Sequence, residues 1–309
     1  MKELWVEAYR PKTIDGYVFV DDNQRQQVES WIKDGSIPNL LFSGSPGTGK
    51  TTLGKMLINE LGVDEYDVLY ANGSKEARKI EWVDKLISFC QTMPYGKFKI
   101  VFIDEADYMN PQSVQPALRN LMEDYSHSVR FILTCNYPNK IIPPLHSRLQ
   151  QLHILKTDHT EFTARAATVL VTEEVEFDID TLDSYVRATY PDLRKCLQLL
   201  QQNSQSGQLN APNSTDKSAG DWKLDCVQLF KDGKIREART LLCQQSTPEE
   251  ADEIFRWMYD NLDLWGTDVH KQDQAIVIIR NGLVNIPLVA DQEINLSATL
   301  CELGRLCDT

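Results

Sequence analysis

The sequence has no Cys-x-x-Cys pair, no apolar run of about eighteen residues or more, and no surplus of positive charge. Each absence closes off a class of protein. The seven cysteines (Cys90, Cys135, Cys196, Cys226, Cys243, Cys301 and Cys307) are scattered, and an odd number cannot all pair within one chain. Free thiols in a reducing compartment follow, not a disulfide framework. Without a long apolar run there is no transmembrane helix and no reason to expect a membrane partner. Residues 1–7 lack the apolar core of a signal peptide, so the chain is expected to stay in the cytoplasm where it is made. The net charge of −13 argues against a generally basic nucleic-acid binder. Its distribution matters more: residues 1–150 hold 17 basic and 19 acidic groups, whereas residues 221–309 hold 9 and 16. The acid collects at the C-terminal end, leaving the N-terminal part able to carry a local basic stripe.

What is present is 42% hydrophobic and 25% charged over 309 residues, ordinary for a soluble chain of two or three domains. The first 150 residues alternate short β-rich runs with amphipathic stretches, the pattern of a parallel α/β sheet. Strands are expected over 39–43, 67–71, 99–103, 129–134 and 151–155. They are continuous apolar runs, as suits strands covered on both faces. Helices are expected over 50–61, 80–92 and 111–124, with a short one near 141–147. From residue 158 the strand signal fades, and 160–171, 180–190 and 192–203 read as helices. Residues 203–220 are rich in Ser, Asn, Gly and Pro and read as a linker or long loop. Beyond them the chain reads as helix around 223–231, 235–244, 248–262 and 268–281, with no internal repeat and no heptad run.

The strongest motif is Gly44-Ser45-Pro46-Gly47-Thr48-Gly49-Lys50-Thr51, a full G-x-x-x-x-G-K-[ST] match between a strand and a helix. Its glycines let successive backbone N–H groups turn toward phosphate oxygens, and the helix N-terminus adds a favourable dipole. Lys50 would reach the β- and γ-phosphates of ATP, with Thr52 beside it, and the Thr51 hydroxyl would ligate Mg²⁺. The second motif, Val101-Phe102-Ile103-Asp104-Glu105-Ala106-Asp107, ends an apolar strand in paired carboxylates. Asp104 suits the metal, and Glu105 is free to polarise an attacking water.

This order of motifs, continued by Thr134-Cys135-Asn136 at the next strand end, resembles the AAA+ ATPases, and within them the sliding-clamp loaders. The resemblance implies that Asn136 acts as sensor 1, helping to place the lytic water. It implies that Ser147-Arg148, followed by Leu149 where the family has cysteine, supplies an arginine finger to the neighbouring subunit's ATP site. Tyr190-Pro191-Asp192-Leu193-Arg194-Lys195 resembles sensor 2, with Arg194 reaching back to the phosphates and Lys195 its neighbour. Trp5-Val6-Glu7-Ala8-Tyr9-Arg10-Pro11 is similar to the W-x-E-K-Y-R-P segment that folds over adenine, with Ala8 at the family's Lys. Val6, Glu7, Ala8, Tyr9 and Val18 are thereby implied to frame the base. An N-terminal strand packed for stability is the competing reading of that segment. The helix around Ala117-Leu118-Arg119-Asn120-Leu121-Met122-Glu123 implies that Arg119 lies near a subunit interface, either touching the next ATP or bracing its own helix. Lys75, Arg78 and Lys79 fall where the family tracks a DNA backbone, although Asp84 replaces a basic residue common there.

The fold this implies is an α/β P-loop AAA+ domain with a parallel sheet (1–157), a small helical lid domain (158–205), a linker or long loop (206–220) and an all-α collar (221–309). Ile37-Pro38-Asn39, Asn72-Gly73-Ser74 and the Pro-Asp-x-Arg-Lys run look most like the large clamp-loader subunit of T-even-type bacteriophages, for which the cytoplasm would be a host's. The replication factor C small subunit is the close second. The activity implied is ATP-driven opening and loading of a sliding clamp on primer–template DNA, by copies of this chain in a ring or spiral with a small subunit lacking a P-loop. Another AAA+ motor (a helicase loader or an unfoldase) and a nucleotide-binding scaffold subunit are the alternatives. Met93-Pro94-Tyr95-Gly96 is the nearest candidate for an unfoldase pore loop.

Overall fold

The structure, a computed structural model, describes residues 4–204, 206–210, 222–245, 251–266 and 268–307. The expected linker lies outside the described residues from 211 to 220. Two compact units divide the chain, 1–158 and 159–309.

The first unit runs α1 (Trp5–Ala8), α2 (Asp22–Asp34), β1 (Leu40–Ser43), α3 (Lys50–Glu60), β2 (Val68–Asn72), α4 (Glu81–Gln91), β3 (Lys99–Asp104), α5 (Val114–Asp124), β4 (Val129–Cys135), α6 (Pro143–His146) and β5 (Gln150–His153). The five strands pair in the order β2-β3-β4-β1-β5, each neighbouring pair parallel. Parallel neighbours need crossovers, and the intervening helices supply them.

Alternation along each strand sends residues to opposite faces. Leu40, Phe42, Ile100, Phe102 and Ile132 pack with Val28 and Trp31 of α2 and Leu53 and Leu57 of α3. Leu41, Val101, Ile103, Phe131 and Leu133 pack instead with Trp82 and Leu86 of α4 and Leu118 and Leu121 of α5. Burial on both faces is why these strands read as unbroken apolar runs. Phe42, Phe102 and Phe131 are fully buried, each contributing about 1.5–3 kcal/mol.

Two local features depart from the sequence reading. Trp5–Ala8 forms a helical turn with Trp5 buried, not a strand. Asp22–Asp34 forms a helix that the periodicity does not announce, because it buries only Val28 and Trp31. Its ends are nonetheless coded. The Asp21 carboxylate accepts the Asn23 N–H at 2.8 Å, and Gly35 closes the helix at φ +58°.

At the opposite edge of the sheet from the P-loop, the buried Asp67 carboxylate accepts the N–H groups of Tyr95 (3.0 Å) and Gly96 (2.7 Å). It thereby fixes the connection from α4 into β3 and leaves Met93 and Tyr95 exposed.

The second unit holds α7 (His159–Thr172), α8 (Ile179–Thr189), α9 (Leu193–Asn203), α10 (Trp222–Lys231), α11 (Ile235–Gln245), α12 (Ala251–Asp260), α13 (Val269–Asn285) and α14 (Gln292–Cys307). Asp178 and Asp192 cap α8 and α9 through side-chain carboxylates. An ionic cluster ties α8 to the helices that follow. Asp183 takes Arg187 at 2.6 Å and Lys231 at 2.7 Å, and Arg187 also pairs with Asp263. The Trp257 indole donates to the Arg187 carbonyl at 2.9 Å. Residues 206–210 pack back on this unit: the Leu209 N–H donates to the Glu176 carbonyl at 2.8 Å, and the Tyr185 hydroxyl to the Asn210 carbonyl at 2.9 Å. No described helix is long and apolar enough to cross a membrane.

Candidate nucleotide site

The C-terminal ends of β1, β4 and β3 lie side by side, so the loops that follow them share one edge of the sheet. The chain leaves β1 at Ser43 and enters α3 at Lys50 through Gly47 (φ +76°) and Gly49 (φ +91°). These left-handed torsions suit glycine and turn the backbone sharply into the helix N-terminus. Lys50 is buried, and its ammonium donates to the carbonyls of Gly44 (2.9 Å) and Ser45 (2.7 Å). The Thr48 hydroxyl donates to the Ser45 carbonyl at 2.9 Å. The Thr51 hydroxyl, in the first turn of α3, donates to both oxygens of Asp104 at 2.9 and 3.1 Å. Two hard oxygen groups thus meet beside the P-loop, a donor set that fits Mg²⁺.

Glu105 follows Asp104 in the left-handed region (φ +54°, ψ +43°), a conformation that costs a residue with a Cβ about 1–2 kcal/mol. Neighbours on both sides hold it there. Its N–H donates to the Thr134 hydroxyl at 3.2 Å, and the Gly73 N–H takes the preceding Asp104 carbonyl at 2.7 Å. A Cβ on Gly73 would stand 2.2 Å from the Glu105 carbonyl oxygen, so this close approach requires glycine. Asn136 leaves β4 half-buried, and the Tyr137 N–H beyond it donates to buried Asp107 at 3.2 Å. The other Asp107 oxygen has no hydrogen-bond partner among the described residues. Burial pushes the Cys135 thiol up to about 12, the Asp107 charge adding to it and the Lys50 charge opposing. An uncharged, unreactive thiol sits there.

The N-terminal segment reaches this edge through residues that motif reading did not single out. Arg10 bonds Glu7 at 3.0 Å and the Thr52 hydroxyl at 3.4 Å, tying α1 to α3. The Tyr17 ring lies over the P-loop, where a Cβ on Gly49 would meet it at 3.0 Å. Arg10 stands inside the Tyr9-Arg10-Pro11 run, whereas nothing in the sequence marks Tyr17. Val6, Ala8, Tyr9 and Val18 are half-buried and Glu7 is exposed.

The remaining candidates belong to other elements. Arg148 follows α6 and is engaged by Glu123 of α5. Arg119 lies along Asn120, at 2.8 and 3.1 Å. Lys75, Arg78 and Lys79 are exposed between β2 and α4, with Glu76, Glu81 and Asp84 close in sequence. Arg194 belongs to the second unit, exposed in the first turn of α9, where its N–H bonds Asp192 at 3.0 Å.

Residues 40–157 match the family model described as ATPase family associated with various cellular activities (AAA). The chain is 36% identical to the replication factor C small subunit of Sulfurisphaera tokodaii, over 97% of its own length and 95% of that protein. It is 30% identical to the replication factor C small subunit of Methanococcus vannielii, over 99% and 100%. Among solved structures it is similar to the Holliday junction branch migration motor RuvB of Thermotoga maritima, with a TM-score of 0.56 and 18% identity over 80% of each chain. That likeness speaks to the fold alone. The chain is an ATP hydrolase and belongs to the replication factor C small-subunit family of AAA ATPases.

Proposed function

We propose that this chain is an ATPase subunit of a sliding-clamp loader, in which ATP binding drives clamp opening and primer–template binding and hydrolysis releases the closed clamp on DNA. The observation that carries the chemistry is the meeting of Thr51 and Asp104 beneath the P-loop, with Glu105 held next to them. Lys50 and the P-loop N–H groups bind the phosphates of ATP, with Ser45, Pro46, Thr48 and Thr52 shaping the loop and Val6–Tyr9 and Val18 the base pocket. Thr51 and Asp104 hold Mg²⁺, whose charge would offset that of the β- and γ-oxygens. Glu105 orients and polarises the attacking water, assisted by Asn136. Arg148 serves the neighbouring subunit's site, Arg194 closes this chain's own, and Lys75, Arg78 and Lys79 face the DNA backbone.

In this reading residues 1–157 form the ATPase domain, 158–205 the lid, 206–220 a linker and 221–309 the collar through which copies assemble in the cytoplasm. The place of Met93–Gly96 at the far edge of the sheet counts against an unfoldase pore loop. Steady-state ATPase measured with and without primed DNA and clamp tests the proposal, and turnover indifferent to both would overturn it. The finer expectation of a T-even-type phage large subunit rests on Ile37-Pro38-Asn39, Asn72-Gly73-Ser74 and the Pro191-Asp192-Leu193-Arg194-Lys195 run. Co-purification with a smaller subunit lacking a P-loop, plus a ring-shaped clamp, would decide for it.

A further inference from the structure

We propose that Thr134 is a positioning residue for hydrolysis, its single hydroxyl setting the Asp104 carboxylate and the Glu105 peptide against each other. The inference rests on the reading of Asp104 and Glu105 given above.

Thr134 is the penultimate residue of β4, paired across the sheet with Phe42 of β1. On its other side β4 runs alongside β3, whose last residue is Asp104. Its side chain is 1% exposed, so its hydroxyl must find partners within the protein. It finds two. It donates to Asp104 Oδ1, and it accepts the N–H of Glu105 at 3.2 Å. A hydroxyl has one proton, so donation to the carboxylate fixes its polarity and turns its lone pair toward Glu105. Asp104 is then held between two hydroxyls, Thr51 from the P-loop helix and Thr134 from the central strand. Glu105, in a left-handed conformation that few non-glycine residues adopt, has its one backbone donor satisfied by the same atom.

Without that hydroxyl the Glu105 N–H would lose this partner in a crowded setting, and among the described residues the Asp104 side chain would keep the Thr51 hydroxyl alone. Both groups could then leave the arrangement in which one holds metal and the other aims at water. Binding of the nucleotide depends on the P-loop instead, so it should be spared. Thr134 stands in the Thr134-Cys135-Asn136 run, but there it reads as an ordinary β-branched strand residue, and only Asn136 is given a role.

The decisive comparison is Thr134→Ser against Thr134→Ala in the full chain, assayed in its assembled, DNA-stimulated form. Both variants remove the methyl group and only one removes the hydroxyl. The alanine variant is expected to lose about ten-fold or more in kcat and to need more Mg²⁺ for half-maximal rate, with ATP affinity changed less than about two-fold. The serine variant is expected to restore kcat and the Mg²⁺ requirement. Thr134→Val, which keeps the volume and drops the hydroxyl, should behave as the alanine variant. Full turnover in the alanine and valine variants, or equal loss in the serine variant, overturns the inference. Glu105→Gln and Asp104→Asn measured alongside separate it from the reading beneath. If those two keep turnover, the assignment of the carboxylates fails. If they lose turnover while Thr134→Ala does not, only the role of Thr134 fails.

Discussion

The guanidinium of Arg148 rests on the carboxylate of Glu123, with Nε 2.7 Å from Oε1 and Nη2 on the same oxygen. Nη1 donates to the Pro144 carbonyl at 2.7 Å and to the Ser147 hydroxyl at 3.0 Å. The candidate finger is therefore oriented by its own chain. Arg148→Ala is expected to cut clamp- and DNA-stimulated turnover by about a thousand-fold or more while ATP binding stays near normal. The pair itself is partly exposed, and exposed ion pairs are worth only about 0–1 kcal/mol. Glu123→Ala should therefore cost only a few-fold, and nothing further once Arg148 is gone. Steady-state ATPase on the single and double variants checks both.

Lys50 and Glu105 should separate binding from chemistry. Lys50→Ala is expected to abolish ATP binding, measured with a fluorescent nucleotide. Glu105→Gln should bind normally and lose about 10²–10⁴-fold in turnover, the usual contribution of a positioned acid or base. Equal loss of affinity in both variants would contradict the division of labour.

Gly73→Ala tests the close approach of the residues that follow β2 and β3. A methyl group 2.2 Å from the Glu105 carbonyl must displace backbone, and overpacking of this kind costs about 1–3 kcal/mol. Thermal unfolding should shift down, and turnover should fall further than ATP affinity, because the displaced residue is Glu105. A variant with wild-type kcat would show that Glu105 tolerates the move.

The ionic cluster of the second unit should make its stability depend on acid. Burial alone would raise the Asp183 carboxyl, but hydrogen bonds and charges from Lys231 and Arg187 outweigh it and hold it below the usual range. A carboxyl lowered on folding adds stability above its unfolded value of about 4, lost as the pH falls through the folded value. Denaturant titrations are expected to show that loss below about pH 4. Asp183→Asn should remove it and cost about 1–3 kcal/mol at neutral pH, because the negative charge between Arg187 and Lys231 is lost.

Legibility followed the range of the interactions. Gly44–Thr51 and Asp104-Glu105 could be read directly because each motif is contiguous and flanked by an apolar run. Helix α2 went unread because its face is narrow, although Asp21 and Gly35 mark both ends. Helix α14 lies in the stretch that reads as all-α, without bounds of its own, and strand ends differ by a residue or two, as boundaries do. The parts played by Tyr17 over the P-loop and by Thr134 under Asp104 were hidden for another reason. Their meaning lies in what a distant segment brings to them, and the spacing of their own neighbours says nothing of it.

The strand order has a consequence for how the molecule is made. β1 hydrogen-bonds only to β4 and β5, so the partner of Leu40 is Ile132, 92 positions further along. While the chain is being synthesised, the P-loop strand therefore waits unpaired until most of the first unit has emerged. Its apolar residues must be kept from other chains through that interval. The part of the chain easiest to recognise in the sequence thus pairs into its sheet only after β4 has been made.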